Sequence, residues 1–303
     1  MKHNMEFRVI FPIVLVLLGF LIKNIGIVER KSADLLIKLV FYIFLPATLF
    51  YSLIRLELKP GLLILPVSAF LVALLCYGFA FIIKNLFDMN RKIEGIFLIG
   101  SGAMNQGLFA YPFFIIYLGT TGLSYVTFYD VGQAILGLTL GYYIATRYGG
   151  KSKTYFQVIK NALYFPPLIA FFTALLLNYL NFQIQVQAIL PMIETLHNCT
   201  APLIMIALGI FLEPRMVDLK PVFGVVFIRF VFALGAAFLI VNLIGLSDIE
   251  RMTVLVASTV PPAMLTLVYA VEEELDKEFT AVLLSICICI GLVYTPALFS
   301  ILS

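Results

Sequence analysis

The apolar positions of this chain come in continuous runs of about 20 residues, the length a helix needs to cross a hydrocarbon core of about 30 Å. Ten runs are predicted as transmembrane helices, at 9–27, 35–54, 62–83, 94–118, 123–146, 157–180, 188–212, 221–245, 251–271 and 279–302. Alternation of the kind that builds a membrane barrel is absent. The first run follows Lys2 and Arg8, as a signal peptide would, but no small-x-small cleavage site comes after it and Lys23 interrupts it. It reads as a helix.

Composition removes the soluble alternatives. Hydrophobic residues make up 62% of the 303, charged ones 12%, and the mean hydropathy is +1.06, which leaves too little polar surface for a water-soluble globule. With the turns numbered alternately, Lys2, Arg8, Arg55, Lys59 and Arg251 fall on the side of both termini. Most of the remaining cations, among them Lys84, Arg91, Lys92, Arg147, Lys151, Lys153, Lys160 and Arg215, fall on the other. The positive-inside rule then predicts a multi-pass protein of the plasma or inner membrane with both termini outside the cytoplasm. The net charge of +3 is spread over short loops, forms no basic stripe and gives no sign of nucleic acid. Cys76, Cys199, Cys287 and Cys289 lie in apolar segments with no His at metal-ligand spacing, and read as packing residues. No cofactor or metal is expected.

The most polar turn, RYGGKSKTYFQVIK at 147–160, divides the ten segments five and five, and an odd count inverts the second half. This predicts a first five-helix repeat at 1–147, a cytoplasmic linker at 148–156 and a second, inverted repeat at 157–303. Self-similarity agrees. FLPATLF (44–50) matches TAPLIMI (200–206) around Pro46 and Pro202, and IEGIFLIGSGA (93–103) matches IERMTVLVAST (249–259), both at an offset of 156. Lys59-Pro60 and Lys220-Pro221 are offset by 161, so compensating changes in loop length are required. Inverted repeats of this kind mark transporters.

In that alignment the fourth and ninth segments are interrupted at the same depth. The fourth holds GSGAMNQGLFAYP (100–112), and its Asn105-Gln106 falls opposite Pro261-Pro262 of the ninth. Proline removes a backbone donor and clashes with the preceding turn; Gly100, Gly102 and Gly107 weaken the helix around Asn105. Polar backbone freed in this way cannot face lipid. The two breaks are therefore expected to cross near the midplane, aiming the N-terminal ends of two half-helices at one spot where an anion is favoured. Asn105 and Gln106 add side-chain donors there, and a carboxylate is the expected guest. An ordinary kinked helix is the alternative for either break taken alone.

NQGLFAYP sets an asparagine seven residues before a proline, and VPPAMLTLVYAVEEELDKEFTAVLLS has a proline pair followed by an alanine and an acidic run. Together with FYIFLPATLFYSLI, APLIMIALGIFLE and the closing TPAL, these stretches resemble the auxin efflux carrier family in its prokaryotic branch, over almost the whole chain. The resemblance implies an all-α fold of ten transmembrane helices, a 5+5 inverted repeat with crossed, broken helices 4 and 9. It further implies a scaffold of helices 1, 2, 6 and 7, a mobile domain of helices 3–5 and 8–10, a homodimer, and an organic anion carried by an elevator-like movement. Asn105 matches the asparagine that contacts substrate carboxylate; Pro112 and Pro261 match the crossover prolines. Where the plant exporters continue their second motif with glutamine and glycine, this chain has Pro262 and Ala263, so plant-hormone specificity is not carried over. No carboxylate stands in 62–83, where the plant exporters resemble one another in having an acidic support residue. The expected substrate-binding set is Asn105, Gln106, Gly107, Pro112, Pro261, Pro262 and Ala263.

Other polar residues lie within the apolar runs. Asp130, Gln133, Gly137 and Gly141 form one helical stripe, polar at one end and small at the other, suited to packing against a broken helix. An intramembrane acid is a functional candidate. Arg229, eight residues into its segment, is expected to pair with Asp130 or to snorkel; reaching the breaks instead would strengthen the anion reading. Glu194, His197 and Asn198 share a face by spacing, as a structural network or a proton relay. The run Glu272, Glu273, Glu274, Asp276 and Glu278 reads as a solvated loop or an anion-repelling one, and Glu94 and Glu250 read as helix caps.

The expected function is a secondary transporter of a small organic anion in the lipid bilayer; an anion channel or a membrane sensor is the alternative. A proton, through Asp130 or His197, or a sodium ion held by oxygen ligands at the break would be the coupling partner; uniport needs neither. Enzymatic activity is not expected, because the chain has only His3 and His197, no HExxH and no nucleotide-binding loop.

Overall fold

A computed structural model describes residues 2–150, 166–212, 217–246 and 248–302. The described residues are helical throughout, without a β-strand; the sole extended pairing among them is one isolated bridge. The helices are α1 (Lys2–Asn24), α2 (Arg30–Leu39), α3 (Leu45–Leu53), α4 (Ile64–Ile83), α5 (Arg91–Gly102), α6 (Tyr111–Leu136) and α7 (Tyr142–Tyr148). There follow α8 (Pro166–Tyr179), α9 (Gln183–Val186), α10 (Leu190–Phe211), α11 (Leu219–Phe227) and α12 (Ala233–Ile244). The last are α13 (Asp248–Ser258), α14 (Leu265–Glu272) and α15 (Lys277–Leu302). Wide π turns at Val40–Phe44, Gly137–Gly141 and Ile228–Phe232 join α2 to α3, α6 to α7 and α11 to α12.

Helix is found in the described part of each predicted segment, interrupted within the fourth at 103–105 and within the ninth at 259–264. Among the described residues, six runs are long and apolar enough to cross a membrane: Leu35–Leu53, Gly61–Leu86, Gln106–Tyr148, Leu190–Phe211, Leu219–Ile244 and Lys277–Leu302. Ile10–Asn24 and Pro166–Tyr179 are shorter apolar helices. The Gln106–Tyr148 run is not one rod. At Gly119 the backbone takes φ 64° and ψ −155°, a left-handed conformation that a Cβ would strain, so α6 is two helices end to end. Most of the expected linker at 148–156, the start of the sixth segment, and Lys151, Lys153, Lys160 and Arg215 lie outside the described residues.

The helices form two compact units that interleave along the chain. Unit 1 takes the described residues of Met1–Gly61, Gly107–Thr127 and Phe156–Leu212. In it α1 packs closely on α10 through a reciprocal pair of glycines: a Cβ on Gly19 would fall 2.1 Å from the Ile206 carbonyl oxygen, and one on Gly209 would fall 2.0 Å from that of Val16. Only glycine lets two membrane helices approach so far. The Thr48 and Thr200 hydroxyls meet at 2.6 Å, and Asn178 Nδ2 donates to the carbonyl of Leu53, the last residue of α3, and to that of Leu56 beyond it.

Unit 2 takes the described residues of Leu62–Gln106, Phe128–Tyr155 and Glu213–Ser303. In it α4 covers the end of α5, with the Tyr77 ring lying where a Cβ on Gly102 would be, 2.3 Å away. The cap of α5 differs from the sequence expectation. Asn90 accepts from Ile93 N at 3.0 Å, because a short amide at the N-cap reaches a first-turn donor that Glu94, already inside the helix, does not. Glu94 instead accepts from Lys84 Nζ at 2.5 Å and from the Tyr148 hydroxyl at 3.0 Å. The acidic run is likewise more than a solvated loop. Glu273 is fully buried, its carbonyl accepts from Gly150 N, and Asp276 caps α15 by accepting from Phe279 N at 2.9 Å.

Candidate functional site

Both interruptions predicted from sequence are present in unit 2, and they meet. α5 ends at Gly102 and α13 at Ser258, the latter followed by a turn at Thr259 and Val260, and Met104 faces Pro262 in an isolated antiparallel bridge. Asn105 N donates to Pro261 O at 2.9 Å and Ala263 N to Ala103 O at 3.0 Å. Two donors expected to await a ligand thus satisfy each other's strand. The register explains the proline pair. Met104 and Pro262 stand opposite as a non-hydrogen-bonded pair, so the N–H that Pro262 lacks has no place in the ladder, while Pro261 contributes its carbonyl.

Side chains account for most of the backbone groups that remain. Met104 N donates to Gln133 Oε1 at 3.2 Å, and Gln133 Nε2 in turn donates to Asp130 Oδ1 at 2.6 Å. Gln106 Nε2 donates to Ala257 O at 2.8 Å, and Thr259 Oγ1 to Val256 O at 3.0 Å. Arg229 is fully buried. Its Nε donates to Val260 O at 3.0 Å, its Nη2 to Ser258 O at 2.6 Å and its Nη1 to Ser101 O at 3.4 Å. One guanidinium therefore reaches carbonyls from the C-terminal ends of both half-helices. Of the placements expected for Arg229, the one at the breaks is found: it neither snorkels nor pairs with Asp130.

Two polar atoms at the pairing are buried without a hydrogen-bond partner, Asn105 Nδ2 and Gln106 Oε1. Asn105 is 4% exposed. Buried amide groups in folded proteins are nearly always paired, so the Asn105 Nδ2 donor is where a ligand or water oxygen completes the set, and the Gln106 Oε1 acceptor is where a water or a ligand O–H does. α14 opens at Met264 and Leu265, whose N–H groups have no acceptor within the helix, whereas Thr266 N and Leu267 N already donate to the Ala263 and Met264 carbonyls at 3.0 Å. What the residues can do chemically is hold an acceptor-rich, negatively charged group. Among the described residues no cluster of His, Cys, Asp or Glu is arranged to bind a metal.

The sequence profile of the membrane transport protein family, which includes the auxin efflux carriers, matches residues 7–299. The chain belongs to this family. Two archaeal members are similar over nearly their whole length. An uncharacterized transporter of Methanocaldococcus jannaschii is 31% identical over 90% of this chain and 91% of its own. An uncharacterized transporter of Methanothermobacter thermautotrophicus is 28% identical over 95% of each. Family and relatives alike place the chain among membrane transport proteins.

Within this family member, unit 2 brings together Asn105, Gln106, Pro261, Pro262, Ala263, Asp130, Gln133 and Arg229. Gly107 and Pro112 belong to unit 1, Gly107 in the wide turn Gln106–Ala110 and Pro112 in the first turn of α6. Glu194 and His197 belong to unit 1 as well. His197 is buried and stacks on the Tyr51 ring at 5.0 Å, and exposed Glu194 hydrogen-bonds the same tyrosine, while Asn198 is exposed. Sequence reasoning missed Tyr129, whose hydroxyl meets that of Ser258 at 2.6 Å, and Tyr77 over Gly102. A tyrosine in an apolar run carries no signal that separates it from core; the adjacent Asp130 was the one available pointer.

Proposed function

We propose that the chain is a secondary transporter of a small organic carboxylate anion, working by elevator-type alternating access with unit 2 as the moving part. The observation that carries this reading is the orphaned Asn105 amide nitrogen at the paired breaks. A buried N–H donor recovers its lost hydration only from an acceptor, and a carboxylate is the acceptor that the N-terminal end of α14, in the same unit, also favours. Unit 2 supports the carrier role, since it contains both interruptions and every side chain that holds them. The accompanying arrangement is ten spans in a 5+5 inverted repeat, broken helices 4 and 9 crossing, both termini outside the cytoplasm, and a homodimer.

Uptake of radiolabelled small carboxylates into proteoliposomes tests this. Saturable uptake that shows counterflow is expected, and Asn105→Ala should lower it at least tenfold while the protein inserts and melts as the wild type does. Wild-type rates in Asn105→Ala would remove Asn105 from the site, and an ohmic current would make the protein an anion channel instead.

A further inference from the structure

Arg229 does more than satisfy stray carbonyls. The C-terminal end of an α-helix carries about half a negative charge, so the ends of α5 and α13 together present about one. In a membrane interior, carbonyls at such ends are where an alkali cation is held in carriers that use one. Here the position is filled from within. Arg229 is fully buried, and its Nε, Nη1 and Nη2 all donate to the cluster: to Val260 O and Ser258 O on one interruption and to Ser101 O on the other. The wide turn Ile228–Phe232 carries the residue, an irregularity that membrane helices show where a side chain serves a site. Gln106 Nε2 takes the neighbouring Ala257 carbonyl and leaves that oxygen engaged too.

We infer that Arg229 is a built-in counter-cation that occupies the place of an exchangeable one, so that the paired breaks bind their solute without sodium. A guanidinium is permanently charged, so it does not leave with the solute or titrate away during a transport cycle. It cancels the negative helix ends and leaves the positive, N-terminal end of α14 in the same unit uncompensated. A sodium ion brought to the same oxygens would meet a like charge with little solvent between them. This inference concerns the cation alone and holds whatever the solute proves to be.

Thermal unfolding of the purified chain in detergent, followed by circular dichroism, tests it without any solute. Melts are compared in sodium, potassium and choline chloride at equal ionic strength, with methylguanidinium chloride added at millimolar concentration. Wild-type midpoints should coincide in sodium and choline. Arg229→Ala should melt lower in choline, and sodium or methylguanidinium, entering the vacated carbonyl cluster, should raise its midpoint by about 5 °C. A sodium-specific rise in the wild type overturns the inference. So does an Arg229→Ala protein that melts like the wild type or gains nothing from either cation over choline. Should Arg229→Ala fail to fold, the wild-type sodium comparison decides alone, coincident midpoints supporting the inference and a sodium-specific rise ending it.

Discussion

At the scale of the residue, a few positions in unit 2 are fixed by what touches them. Gly102 ends α5 with no room for a methyl group, because the Tyr77 ring would lie 2.3 Å from its Cβ. Gly102→Ala should therefore cost about 1–3 kcal/mol of stability. Tyr77→Ala in the same chain should recover part of the loss, a non-additivity that denaturation of the two single variants and the double variant would measure. The sequence marked Gly102 only as a helix weakener. Its real constraint is a ring brought from 25 residues earlier, which no local pattern encodes.

At the scale of the element, the two interruptions are one object. Each segment ends its helix for local reasons that can be read directly: glycines around Asn105 in one, a proline pair in the other. Their pairing then sets a register in which two adjacent positions differ sharply. Pro262→Ala should change stability by no more than about 1 kcal/mol, since the N–H it gains has no ladder partner to serve. Ala263→Pro should cost about 3 kcal/mol or more, since it removes the donor to Ala103 O. Thermal melts of the two variants make the comparison, and equal losses would refute the register. Carbonyl satisfaction at the same ends was not legible. Arg229 reads from sequence as a lone cation in an apolar run, and its three acceptors lie 31, 29 and 128 residues away.

At the scale of the whole molecule, the orientation proposed from basic residues is open to a direct check. Lys59 and Asp88 are exposed and lie in turns assigned to opposite sides. In a background where exposed Cys199 and Cys289 are replaced by serine, Lys59→Cys should react with a membrane-impermeant maleimide on intact cells. Asp88→Cys should react only after the membrane is opened. The reverse pattern would invert the topology. The run of apolar blocks and the placement of cations were enough for a helical multi-pass membrane protein with two broken segments, because hydrophobicity and proline act through the chain's own local backbone. Folding alone decided that the breaks pair as Met104 with Pro262, that Gln133 and Arg229 close them, that His197 turns to Tyr51, and that the compact units interleave. Those outcomes depend on contacts between residues far apart in sequence, where geometry selects one partner among many of similar chemistry.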